Sequence, residues 1–187
     1  MTTVSAPALT ALTGTYALDA THTRIGFVAR HAMVTKVRGA FNEFEGTASL
    51  DFDDVSRSTA SVTITAASID TRQAQRDAHL RSNDFLAMDE FPTITFVSTA
   101  ARRSGDADFE LDGDLTVRGV TQPVTIPFVF EGTAQDQFGN TRVGFEGSVI
   151  INRKDFGVSY NAALETGGVL VGEKVTLEFE VSAVKTG

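Results

Sequence analysis

His22, His31 and His79 are the only histidines in the chain, and so the first candidates for metal or acid–base chemistry. No H-x-x-x-H or H-x-H spacing joins any two of them, and Asp77 and His79, two apart on a helix, point to different sides. They read as hydrogen-bonding structural residues, and no metal site is expected. Asp19 and His22 have the types of a carboxylate–histidine pair, yet spacing identifies no serine partner. There is no cysteine nucleophile, no P-loop, no G-x-G-x-x-G after a strand and no nucleophile elbow. Acid pairs such as Asp53-Asp54 fall in turns, where solvation explains them. The chemistry-bearing residues therefore give no positive support for an enzyme, and the expectation is a protein that binds rather than transforms.

Other polar residues suit binding better. His31 continues the face of Ile25, Phe27 and Ala29, where it could bond a ligand's polar head at a barrel mouth; a rim histidine satisfied by backbone or Asp fits equally well. Arg72, Arg76 and Arg81, with Lys36 and Arg38 in another mouth loop, are basic in an acidic chain. Convergent guanidinium groups would suit a phosphate or diphosphate through charge-assisted bonds. A solvated face of ordinary ion pairs accounts for most of the five. His31, Arg76 and His79 are the head-group candidates. Arg153 and Asp155 read as structural residues of a rim turn, Asn152 to Gly157.

The elements that would position these residues are written in period-two alternation. Ile25, Phe27 and Ala29 share one face. Phe44, Gly46, Ala48, Leu50 and Phe52 alternate with Glu45, Thr47, Ser49 and Asp51. The same pattern runs through Phe109 to Val117, Val143 to Ile151 and Val175 to Val181. One wet and one apolar face is antiparallel behaviour. Asp53-Asp54, Ser104 to Asp106, Arg118 to Thr121 and Phe138 to Asn140 supply the turns. Ile94 to Ile151 reads as a four-stranded meander. Pro123 and Pro127 place Val124 to Phe130 near a rim or at a bulge, because proline donates nothing to a ladder. About eight strands result, the number that closes a small barrel around side chains or one ligand.

Asp70 to Met88 breaks the alternation. It predicts a helix over Thr71 to Arg81, with Asp70 and Gln73 in a capping arrangement, and a shorter turn or helix over Asp84 to Met88. Phe91-Pro92 ends it, and the insert is expected across one mouth. Residues 1–13 read as a loose tail and 14–187 as a single domain.

The apolar face must be the inside. Phe27, Phe41, Phe96, Phe128 and Phe145 are expected there, with Leu115 and small residues such as Ala29 and Ser98; Phe85 is expected to join them from the insert. Small residues among large aromatics are read two ways, as close complementary packing or as space. An open lumen would suit a chain-like hydrophobe; a filled one would leave a structural or protein-interaction module.

Composition bounds the rest. The formal charge of -8 excludes general nucleic-acid binding. Met1 to Thr13 has no basic residue and no long apolar run, and no stretch approaches the roughly 20 apolar residues of a membrane span; the expectation is a soluble cytoplasmic protein.

Short blocks along residues 15–182 carry a resemblance. They include Tyr16 to Asp19 with His22, Phe27 with His31, Gly39-Ala40-Phe41 and Phe44-x-Gly46. Arg76 to Ser82 is the most specific, followed by Asp84-Phe85, Pro92 and Thr95-Phe96-x-Ser98. Later come Gly113 to Thr116, Gly119-x-Thr121-x-Pro123, Asn152-Arg153-x-Asp155-Phe156-Gly157 and Val171-Gly172. In order and coverage the chain resembles the YceI-like family, bacterial lipocalin-like proteins also described as polyisoprenoid-binding. The resemblance implies an all-β lipocalin-like barrel with a long hydrophobic tunnel. It also implies a bound or transported polyprenyl phosphate, quinone-like isoprenoid or related long-chain amphiphile, with no cofactor required; a fatty-acid or amide binder is an alternative reading. A homodimer is compatible with it. Many members carry an export signal, and Met1 to Thr13 does not read as one.

Overall fold

The computed structural model describes residues 9–164 and 170–187. Eleven strand segments form a single sheet whose first and last members meet, so that the sheet closes on itself. They merge into eight staves. β1 (Gly14–Leu18) and β2 (Arg24–His31) form one long strand, interrupted where the Asp19 carboxylate caps Thr21 N–H. It pairs with a second, β3 (Thr35–Phe41) plus β4 (Phe44–Leu50). β5 (Thr59–Thr65) and the short β6 (Ile69–Asp70) make the third, broken by a 3-10 turn at Ala66–Ser68. The meander β7 (Thr93–Arg103), β8 (Asp108–Val117), β9 (Val120–Gln135) and β10 (Thr141–Asn152) agrees with the alternation. β11 (Val171–Lys185) pairs with β10, with β2 along its first part and with β1 at its end.

Local sequence explains the connections. Arg118 and Gly119 sit at φ 51° and 72°, the two positive-φ residues that join β8 to β9 in the turn matching strand twist. Asp136 accepts from the N–H groups of Phe138 and Asn140 and so shapes the β9–β10 turn. Pro123 and Pro127 lie in a full wall strand. The residues flanking a two-residue hairpin turn bond each other, so odd-numbered β9 residues face β10. Pairing of β9 with β10 stops at Phe128–Gly147, and the prolines lie on the edge left beyond it. The expected bulge is also present, where the register slips between Gly132 and Phe130 opposite Gly144 and Phe145.

The insert crosses one end. Its helix α1 (Ala74–Arg81) starts later than expected. Gln73 is the capping residue, accepting Arg76 N–H, while Asp70 caps the preceding turn through Arg72 N–H. Residues beyond Ser82 form turns rather than a second helix. The expected tail also needs correction. Residues 1–8 lie outside the described residues, but Leu12 is buried with Tyr16, Val143 and Ala183 and accepts the Tyr16 hydroxyl at 2.6 Å. The packed domain therefore begins before residue 14. Among the described residues no helix is long and apolar enough to cross a membrane.

Candidate ligand-binding site

Alternate residues of each stave point inward, and between them lies a cavity of about 350 Å³. Along β11, Val175, Leu177, Phe179, Val181 and Ala183 all line it. That run, at a rise of about 3.3 Å and a strand tilt near 40°, extends roughly 20 Å along the barrel axis. The space is a tunnel. Near α1 its wall is tight: Ile64, Phe85, Ile94, Phe96, Phe156 and Val158 are buried in one cluster. Toward the other end Leu50, Phe52, Val55, Ala101 and Phe109 are half-buried. There Phe52, Phe109, Phe130 and Phe145 form a linked set of rings, with centroids 5.3–6.5 Å apart.

Both readings of the small residues hold, at different places. A side chain at Gly147 would meet the Phe128 ring at 2.6 Å, and one at Gly113 or Gly39 would run into Phe96 or Phe27. These rings lie over the neighbouring glycine, flat against the wall instead of across the axis. Complementary packing at the wall is what leaves room in the middle.

Phe27, Ala29, Phe41, Phe85, Phe96, Leu115, Phe128 and Phe145 all line the tunnel. Ser98 does not. The register slips between Ser98 and Ala100, and the Ser98 hydroxyl accepts Ala60 N–H at 2.8 Å, within the wall. None of the three head-group candidates reaches the lining. His31 is exposed at the tip of the β2–β3 hairpin. Arg76 turns to the barrel rim, its Nε donating to Thr71 Oγ1 at 2.7 Å and its Nη2 to the Thr71 carbonyl. His79 pairs with Asp84 at 2.8 Å and stacks edge-on to Phe85 and Tyr160, outside the tunnel wall. Arg81 likewise serves the rim, donating to the carbonyls of Ala67 and Ile69. Arg76 and Arg81 fix the insert in place.

Arg153, read from sequence as structural, is 5% exposed and part of the tunnel lining. Its guanidinium donates to the carbonyls of Val158, Gly172 and Val171, tying the loop after β10 to the start of β11. Burial pushes it below its ordinary value, partly opposed by the Glu173 charge. It offers the tunnel mainly its apolar stem. Val55, on the 3-10 turn between β4 and β5, was missed; it lies outside any alternating segment, so no sequence signal marks it. The Asp19–His22 pair forms at 2.7 Å, and its further partner is Arg142 rather than a nucleophile. Among the described residues no group of three or more acidic or histidine side chains could hold a metal.

The model of the YceI-like domain matches residues 16–183. The chain belongs to the YceI-like family. A UPF0312 protein of Staphylococcus aureus (strain MSSA476) is 38% identical over 169 residues, covering 90% of this chain and 95% of the relative. Among solved structures, BcnA of Burkholderia cenocepacia superposes with a TM-score of 0.78 at 24% identity, over 88% of this chain and 98% of that one. A polyisoprenoid-binding domain from Saccharophagus degradans gives 0.69 at 14% identity, over 91% and 98%. At these identities the two structures establish the shared barrel. The lining of the tunnel is this chain's own.

Proposed function

We propose that this protein binds a long-chain hydrophobic small molecule in its lumen and carries or sequesters it, and that a polyisoprenoid, free or as a quinone or prenyl phosphate, is the class of ligand. The observation that carries the reading is the continuous apolar tunnel. Such a site favours a flexible or extended hydrocarbon, since burial of apolar surface contributes about 25 cal/mol per Å². Among the described residues Arg153 brings the one guanidinium in the lining, and three carbonyls engage it, so the tail lies inside and any polar head at a mouth. The polyisoprenoid-binding description of the Saccharophagus degradans neighbour agrees in kind. A solid barrel acting only as an interaction module fits the cavity poorly.

The test is to purify the protein natively, extract it with organic solvent and identify released lipids by mass spectrometry. One hydrophobe class in near-stoichiometric amount is expected, as is uptake of added polyprenyl alcohol or quinone by the stripped protein. Repeated absence of any hydrophobe, together with no uptake, would overturn the reading.

A further inference from the structure

In a chain of net charge -8, residues 20–42 contain Arg24, Arg30, Lys36 and Arg38, two histidines and no Asp or Glu. The β2–β3 hairpin sets Arg30 directly opposite Lys36, and Arg38 opposite Val28 on the same outward face. Like charges in direct cross-strand register destabilise a sheet. Glu178 approaches this face, 3.7 Å from Arg24 and 3.8 Å from Arg38, and Glu180 stands opposite Arg24 in the ladder; among the described residues Arg30 and Lys36 have no carboxylate within 4 Å.

The tip is equally ill-suited to water. Met33 is 55% and Val34 78% exposed. Ala32 and Met33 turn the chain at φ 51° and 66°, where a solvated turn of this kind takes Asn-Gly or Asp-Gly. An apolar tip flanked by cations has a matching surface. We propose that the β2–β3 hairpin docks on an anionic phospholipid membrane, with Met33 and Val34 in the interface and Arg30, Lys36 and Arg38 on the head groups. The acidic remainder of the molecule is repelled by such a surface, which orients the barrel hairpin first. Ala29 and Val171, beside the hairpin, line the tunnel, so docking sets that end of the barrel against the membrane. Only this last consequence rests on the tunnel reading.

Vesicles of phosphatidylcholine alone and of phosphatidylcholine mixed with phosphatidylglycerol test it. The chain has no tryptophan, so Val34→Trp supplies a single reporter whose emission shifts to the blue on insertion; co-sedimentation of the unmodified protein gives affinities. Binding is expected to the anionic vesicles only and to weaken at high salt. Arg30→Gln with Lys36→Gln should lower it roughly 25-fold, about fivefold per cation, and Met33→Ser with Val34→Ser should lower it too. Phe138→Ser, an 80% exposed side chain on the β9–β10 turn, should not. No binding, equal binding to neutral vesicles, an unaffected Arg30/Lys36 variant, or loss through Phe138→Ser would each overturn the proposal. Polyprenol uptake, read separately in the same variants, would leave the tunnel standing in every one of those outcomes.

Discussion

Gly147 carries no side chain because the Phe128 ring occupies the space one would fill. An added methyl would stand 2.6 Å from Phe128 Cδ1 and 2.8 Å from the Pro127 carbonyl. The ring is the part that can move, and the tunnel is where it can go. Gly147→Ala is therefore expected to cost about 1–3 kcal/mol through overpacking and to reduce polyprenol uptake. Gly147→Ala with Phe128→Leu should recover part of both. Thermal denaturation and a polyprenol titration of the two single variants and the double variant measure the coupling; strictly additive effects would contradict the ring-on-glycine account. Sequence marks Phe128 and Gly147 as inward by alternation alone. It does not show that the two are cross-strand partners, since register depends on the Glu131–Gly132 bulge. A slip after Ser98 likewise moves the inward phase to Ala101, because alternation is read along one strand and a bulge resets it; Ser98 itself is drawn into the wall by its bond from Ala60 N–H.

Among the elements, the insert shows why residue type misled. Arg72, Arg76 and Arg81 in an acidic chain suggest an anion site, yet Arg76 and Arg81 bond the backbone that feeds α1 onto the rim. Asp77, 7% exposed, accepts both Thr71 N–H at 2.8 Å and Thr71 Oγ1–H at 2.6 Å. Thr71 is thus held by α1, which is why the helix begins at Ala74 and not at Thr71. Helical composition was legible in the sequence; the competing hydrogen bonds, made to a residue six positions on, were not. Asp77→Ala leaves the Thr71 N–H without its acceptor and Arg76 with a displaced partner. A loss of about 1.5–3 kcal/mol is expected, as for hydrogen bonds to a charged group. Hydrogen exchange should report it locally, with residues 71–91 losing protection before the β7–β10 meander. Uniform loss of protection would assign Asp77 to the global core instead.

At the scale of the whole molecule, closure is the property sequence conveyed best, since strand number, alternation and turns all agree on it. Less visible was the seam. β1 meets β11 through Tyr16–Lys185, Ala17–Val184 and Leu18–Ala183, a short ladder at the end of the longer β2–β11 one that closes the same stave. Arg142 reinforces it, binding Asp19 just beyond β1 and, at 2.9 Å, Asp136 in the β9–β10 turn. His22 and Arg142 hold the Asp19 carboxyl well below the usual carboxylate range. At Asp136 desolvation raises the carboxyl, but hydrogen bonds from Asn140, Phe138 and Arg142 prevail and lower it to about 2, from 3.8. Both folded values lie below the unfolded ones, so their stabilisation is fully present above pH ~4 and is lost as pH falls through the folded values. Arg142→Gln removes the cation common to both. Urea denaturation should find the variant less stable than the parent at neutral pH, with the gap narrowing toward pH 2 as Asp136 is protonated in the parent while Asp19, held lower, is still ionised. A gap constant across that range would mean that Arg142 acts by packing, and that the charges at the seam do not hold the barrel closed.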